Sequence, residues 1–97
     1  MELKSYQRAF LRSQAQSLDP IVYVGKDGLT DGIVTMLNEA LECHELVKVR
    51  FQSFKDEAKD ISFELADRTE STLVAVTGFT AVFFKQDSSN PERIYRI

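Results

Sequence analysis

Residues 20–32 read PIVYVGKDGLTDG. The β-branched and aromatic run at residues 21–24 predicts a strand, and its lack of polar side chains predicts burial on both faces at a central position in a sheet. Two glycines at residues 25–28 then interrupt the strand. Thr30 is suited to cap a following helix, and Asp31 to interact favourably with its positive end. The stretch therefore predicts a strand, a loop and a helix in direct succession.

A first helix is predicted at residues 3–17, where neither proline nor glycine occurs. Its apolar face comprises side chains at helical spacing: Leu3, Leu11, Ala15 and Leu18. Lys4, Arg8 and Arg12 follow one another at intervals of four and form a basic stripe beside that face. The dipeptide at residues 19–20, Asp-Pro, is expected to end the helix.

A second helix is expected to extend from Thr30 to about His44, with an apolar face formed by Ile33, Leu37, Ala40 and Leu41. The alternation at residues 46–51 predicts a strand whose apolar side chains point to the core while Lys48 and Arg50 point to the other face. A third helix near residues 55–69 has an acidic outer face: Asp56, Glu57, Asp60, Glu64 and Asp67.

Two further strands, at residues 73–77 and 80–85, are predicted to form a hairpin that turns at residues 78–79. The element order is therefore α-β-α-β-α-β-β in a single domain that spans residues 1–97, of which 86–97 form a linker-like loop and a tail. Strand–helix–strand crossovers give parallel pairs, and the hairpin adds an antiparallel pair. We expect an α/β (α+β) domain: a four-stranded mixed sheet packed against helices, with a GxxG loop between strand 1 and helix 2.

The composition is ordinary for a globular domain, with 43% hydrophobic and 28% charged residues among 97. A chain of this size has little volume for an enclosed substrate cavity, which favours binding at the surface. The net charge of −3 argues against a nucleic-acid partner, although the charges are unevenly distributed. The one cysteine excludes an internal disulfide and favours a reducing, cytoplasmic location. Neither a membrane span nor a signal peptide is predicted.

The sequence predicts no enzyme. Cys43 and His44 are adjacent on a helix and point apart, so they do not form a nucleophile–base pair and offer too few ligands for a metal. The carboxylates of the third helix are exposed by pattern, an environment that does not raise a carboxyl pKa for acid catalysis. We therefore expect no catalytic residues, no metal, no cofactor and no small-molecule substrate.

The GxxG loop has two interpretations. Its glycines permit unusual φ values and close approach of another backbone, and Lys26 places a positive charge at the tip, which suits a phosphate near a helix N-terminus. The alternative is a tight strand–helix turn that needs glycine for its geometry alone, and Asp27 argues against a purely phosphate-binding role. The phosphate interpretation requires the loop to be exposed to solvent.

Three ordered motifs resemble the CRM domain, the RNA-binding module of chloroplast splicing factors and of bacterial YhbY-type ribosome-associated proteins. The resemblance covers nearly the whole chain: residues 7–32 with the GxxG loop, residues 45–49 and residues 76–82, followed by Asn90-Pro91-Glu92 before the tail. It implies the fold given above and RNA binding through the GxxG loop and nearby basic residues. For a stand-alone bacterial copy it also implies association with precursors of the large ribosomal subunit.

The resemblance defines candidate RNA-binding residues, which we expect on one side of the molecule, opposite the acidic helix: Gly25, Lys26, Asp27, Gly28, Lys4, Arg8, Arg12, Lys48 and Arg50. Tyr6, Phe10 and Tyr23 either stack on unpaired bases or pack on neighbouring side chains. Phe79 departs from the family, whose members often carry a basic or small residue in that turn.

Two functions are compatible with these features. One is an RNA-binding protein that associates with ribosomal RNA in precursor large subunits. The other is a protein-interaction module on the ribosome-assembly pathway, with ribosomal proteins as partners and weak RNA affinity, which would fit the acidic third helix.

Overall fold

The computed structural model describes residues 2–87 and 92–97, so residues 88–91 of the predicted linker lie outside the described residues. The described elements follow the predicted order: α1 (Ser5–Ala15), β1 (Val22–Val24), α2 (Asp31–His44), β2 (Leu46–Phe51), a short 3₁₀ helix (Lys55–Glu57), α3 (Ala58–Thr69), β3 (Thr72–Thr77) and β4 (Thr80–Phe84). The prediction of an α-β-α-β-α-β-β domain is confirmed.

The four strands form one mixed sheet in the order β1-β2-β4-β3. β1 pairs with β2 in parallel, while β4 lies antiparallel to both β2 and β3. The prediction that β1 is a central strand buried on both faces is wrong. β4 occupies the second side of β2, so β1 is left at the edge, and Ile21 and Tyr23 remain 47% and 43% exposed.

Strand β2 separates two cores because its side chains alternate between the faces of the sheet. Val47, Val49 and Phe51 point to the face covered by α2 and α3, where they pack with buried side chains that include Leu37, Leu41 and Leu65. On the other face Leu46 joins the residues under α1: Leu3, Leu11, Ala15, Val74, Val82 and Phe84. The domain therefore has three layers, with the sheet between α1 and the α2–α3 pair.

The start of α2 has the predicted cap. The side-chain oxygen of Thr30 accepts a hydrogen bond from the Ile33 N–H at 3.2 Å, which satisfies one of the helix's unpaired donors. Asp31 follows at the positive end of the helix and forms an ion pair with Arg68 at 2.6 Å. Because the Asp31 side chain is 95% exposed, this pair contributes little to stability.

The end of α2 anchors the C-terminal tail. Glu45 adopts a left-handed φ of 62° and is buried. Its Oε1 accepts hydrogen bonds from the backbone N–H groups of Ile94 and Tyr95 at 2.9 and 3.0 Å. Burial and, secondarily, the nearby Glu45 carboxylate raise the pKa of Tyr95. The Glu45 carboxylate therefore satisfies two backbone N–H groups that would otherwise bond to water, and it holds residues 92–97 against the domain.

One residue of the basic stripe serves the fold. Arg8 Nη1 donates hydrogen bonds to the carbonyl oxygens of Leu73 and Val74, at 2.8 and 2.6 Å. These carbonyls belong to the edge strand β3, at the point where its register with β4 shifts between Leu73 and Ala75. The guanidinium thus satisfies backbone acceptors that the irregular pairing leaves on an open edge.

The GxxG loop is packed from inside the domain. Its second glycine, Gly28, has a φ of 68°, and a Cβ there would lie 3.1 Å from the ring of Phe54. Phe54 is itself left-handed, with a φ of 55°. The space left by the absent Cβ of Gly28 is therefore filled by the Phe54 ring and is not open to the backbone of a ligand. Gly28 is buried. The expectation that the whole loop is exposed is wrong at Gly28 and confirmed at Lys26 and Asp27, which are exposed.

Replacement of Gly28 by alanine should lower the free energy of unfolding by about 1–3 kcal/mol, because the added Cβ is strained at positive φ and crowds the Phe54 ring. Gly25→Ala is the matched control, since no described atom lies within 4 Å of a Cβ at that position. Urea titration of both variants measures the difference. Equal stabilities would contradict the assigned packing.

Arg8→Ala should lower the free energy of unfolding by about 1–2 kcal/mol, since two β3 carbonyls lose a charged donor. The exposed Arg12, on the same helix, should change it by less than about 0.5 kcal/mol when replaced by alanine. Urea midpoints of the two variants test this contrast. If Arg12→Ala lowered the free energy of unfolding and Arg8→Ala did not, the structural role assigned to Arg8 would be contradicted.

Candidate nucleic-acid interface

Three loops meet at one end of the sheet. β1 and β2 run in parallel and end there, and the β3–β4 hairpin turns there, so this loop end comprises residues 25–28, 52–55 and 78–79. The Val24 carbonyl accepts hydrogen bonds from the N–H groups of Gln52 and Ser53 at 2.9 and 3.2 Å, and Phe51 N–H donates to the Phe79 carbonyl at 2.7 Å. Backbone hydrogen bonds therefore tie the second and third loops to the strands around them.

The GxxG loop at this end is a turn closed by a hydrogen bond of 3.0 Å from Gly28 N–H to the Gly25 carbonyl. Lys26 and Asp27 occupy its exposed tip. The loop presents one positive and one negative charge, so the Lys26 ammonium acts beside a carboxylate rather than in a purely basic cradle. Thr30, two residues after the loop, already caps the helix that follows.

A basic cleft lies between the C-terminal half of α1 and the part of the sheet that α1 leaves uncovered. It has a volume of about 510 Å³, and its described lining comprises Arg12, Ala15, Gln16, Lys48, Ala75, Thr77, Thr80 and Val82. None of these is an aspartate or glutamate. Two basic residues and two threonines therefore line a space with no carboxylate in its described lining, an arrangement that attracts an anion.

The sheet brings Arg50 beside this cleft. Tyr23 on β1 pairs with Arg50 on β2, Arg50 pairs with Thr80 on β4, and Thr80 pairs with Thr77 on β3. Paired residues on neighbouring strands project from the same face, so these four side chains form a row across the sheet. Arg50 and Tyr23 are exposed.

Lys48 has a structural partner as well as a place in the cleft. Its Nζ donates a hydrogen bond of 3.0 Å to the Leu18 carbonyl, just beyond the end of α1. An ammonium has three donors. This contact orients the charge within the cleft and uses only one of them.

The expected grouping of the basic residues is only partly present. Arg12, Lys48 and Arg50 share the cleft region, whereas Arg8 is bound to β3, the edge opposite β1 and the GxxG loop. Three strand spacings of about 4.8 Å separate these edges by about 14 Å. Lys4 is the N-cap residue of α1, one turn further from the cleft than Arg8. The expectation that the whole basic stripe adjoins the GxxG loop is therefore wrong. Arg8 is bound at the opposite edge of the sheet, and of the three stripe residues only Arg12 lines the cleft.

The acidic residues of α3 lie away from the cleft, as predicted, but Asp56 and Glu57 lie next to the loop end. α3 packs on the face of the sheet opposite α1 and the basic cleft. Its acidic side chains Asp60, Glu64 and Asp67 are all exposed, as are Asp56 and Glu57 of the preceding 3₁₀ helix. The net charge of −3 is thus a sum over two dissimilar surfaces.

Sequence reasoning missed Phe54 and Lys55. Phe54 covers Gly28, and Lys55 Nζ lies 4.6 Å from the ring centroid of Phe79, within the range of a cation–π contact. The only signal was a single large apolar side chain in an otherwise polar loop. Of the aromatic residues proposed to stack, Tyr6 is 68% and Phe10 41% exposed on α1, and Tyr23 donates from its hydroxyl to the Pro20 carbonyl at 3.2 Å.

Across residues 2–87 and 92–97, no three His, Cys, Asp or Glu side chains are grouped so that they could hold a metal ion. Over the same residues, no helix combines the length and apolar character needed to cross a bilayer.

Comparison with known proteins yields one family. The model of the CRS1 / YhbY (CRM) domain matches residues 3–85. The Bacillus subtilis protein named "Probable RNA-binding protein YqeI" is 37% identical over 91 residues, 93% of this chain and 95% of its own. A Haemophilus influenzae protein named "RNA-binding protein" is 32% identical, over 86% of this chain and 85% of its own.

A solved structure shares the fold. The solution structure of the hypothetical protein SAV1595 from Staphylococcus aureus superposes with a TM-score of 0.79 at 34% identity, and the match covers 94% of this chain and 96% of that one. With a family match over most of its length and relatives above 30% identity, the chain belongs to the CRS1 / YhbY (CRM) domain family.

Proposed function

We propose that this protein binds RNA through the basic cleft and the adjoining loop end, and that its RNA is the ribosomal RNA of precursor large subunits in the cytoplasm. The main support for the proposal is the basic cleft between α1 and the sheet, whose described lining contains no acidic residue. The names of the relatives point to the same class of ligand.

The chemistry of the cleft suits a sugar–phosphate backbone. The planar guanidinium of Arg12 can donate two parallel hydrogen bonds to one phosphate, and Lys48 supplies a compact charge on the opposite wall. Thr77 and Thr80 add hydroxyls that can donate to phosphate oxygens or accept from a 2′-hydroxyl. Such contacts position a strand without reading its sequence, so we propose a binding function rather than catalysis.

The segregation of charge reconciles RNA binding with a net charge of −3. The acidic residues of α3 lie behind the sheet, where they repel RNA from the wrong face and favour approach to the cleft. Arg50 lies beside the cleft on the same face of the sheet, and Lys26 is exposed at the loop end. Because Lys4 and Arg8 lie further from the cleft, they contribute less to binding than Arg12, Lys26, Lys48 and Arg50.

Arg12→Ala and Lys26→Ala should each weaken binding to many RNAs alike. Each should also reduce the slope of log K against log salt by about 0.7–0.9, the value for one lost phosphate contact. Lys59→Ala removes the same charge from α3 and serves as the control. Filter-binding or anisotropy titrations at several salt concentrations measure the slopes, and unchanged slopes in both cleft-side variants would contradict the proposed surface.

The ribosomal assignment needs a separate experiment. The tagged protein should sediment with precursor large subunits, and crosslinking there should recover ribosomal RNA joined to the cleft or the loop end. If the crosslinks instead join α3 to ribosomal proteins while RNA affinity is weak and insensitive to salt, the protein-interaction function replaces this proposal.

A further inference from the structure

Phe79 stands at the tip of the β3–β4 hairpin, directly before Thr80 of the basic cleft. Its side chain is 46% exposed, and it belongs to neither apolar core among the described residues. Its backbone is held by the hydrogen bond from Phe51 N–H. The ring is thus presented outward on a fixed support and contributes little to the packing of the domain.

The Lys55 ammonium lies over one face of the Phe79 ring. Its Nζ lies 4.6 Å from the ring centroid, and its neighbour Phe54 is locked against Gly28 in a left-handed conformation. Strained backbone of this kind persists only where surrounding contacts enforce it. The contact between Lys55 and Phe79 is therefore part of an ordered loop end, with nearly half of the Phe79 side chain still open to a second partner.

We propose that Phe79 stacks on an unpaired base of the RNA whose backbone lies in the basic cleft, so that the preferred ligand is single-stranded or loop RNA rather than a continuous duplex. This inference rests on the proposed function. Phe79 and Thr80 are consecutive residues at the hairpin turn, so a strand that continues from the cleft across this turn passes the exposed Phe79 ring. A base in a duplex has both faces stacked, and only an unpaired base offers one to an aromatic side chain.

The charge in contact with the Phe79 ring is the Lys55 ammonium, which occupies one side of it. Asp27, Asp56 and Glu57 are exposed at or next to the loop end, so that end is less positive than the cleft. Stacking depends on the ring faces and tolerates such neighbours. The cleft, whose described lining has no acid, binds the backbone, and the hairpin turn at residues 78–79 binds the base.

The test compares an RNA hairpin that carries 2-aminopurine in its loop with a fully paired duplex of equal charge. Phe79→Leu should weaken binding to the hairpin about tenfold and leave duplex binding unchanged, and Phe79→Tyr should retain both affinities. Phe63→Leu, an aromatic residue 55% exposed on α3, is the matched control and should bind as the wild type does. Wild type and Phe79→Tyr should quench the 2-aminopurine fluorescence, while Phe79→Leu should not.

The outcomes separate this inference from the function on which it rests. If Phe79→Leu binds and quenches like the wild type while Arg12→Ala binds weakly, stacking is refuted and RNA binding stands. An equal loss on hairpin and duplex also refutes stacking. If the wild type binds neither RNA at any salt concentration, the proposed function itself is refuted. Should Phe79→Leu fail to fold, the absence of 2-aminopurine quenching by the wild type would by itself refute stacking.

Discussion

The alternation of side chains along β2 is the constraint on which the rest of the structure depends. Val47, Val49 and Phe51 must be covered, and α2 and α3 cover them. On the other face the strand changes gradually from buried Leu46 through half-buried Lys48 to exposed Arg50. α1 can cover only the apolar part of that face, because covering Arg50 would remove a charge from water without a partner. The open, basic part of the sheet follows from this gradient.

At the loop end, the second glycine of the GxxG motif packs against a side chain of the same domain. Gly28 is required both for its positive φ and for the space that the Phe54 ring occupies. This packing orders the segment that follows, Lys55 included, and leaves Lys26 and Asp27 as the exposed tip. The glycines of the motif are therefore unequal: Gly28 is a structural residue, whereas a Cβ at Gly25 would meet no other atom within 4 Å.

Local signals in the sequence were sufficient for the element order, the Thr30 cap, the hairpin turn and the two faces of β2. They could not place β1, because a three-residue apolar strand looks the same at the centre or the edge of a sheet, and its position was decided by the pairing of β4 with β2. Helical spacing correctly aligned Arg8 with Arg12. It contained no information on what each would face, and the carbonyls that bind Arg8 come from residues more than sixty positions away. Glu45 was likewise unassigned, since its role needs the returning tail.

The most direct test of the account is to map which backbone amides respond when RNA is added to the ¹⁵N-labelled protein. Chemical-shift changes should concentrate on residues 12–16, 25–27, 48–50 and 77–80, and the outer face of α3 and the tail at residues 92–97 should stay unchanged. Changes concentrated on α3 or on the tail, with the cleft unaffected, would contradict the claim that the open half of the sheet is the RNA-binding surface.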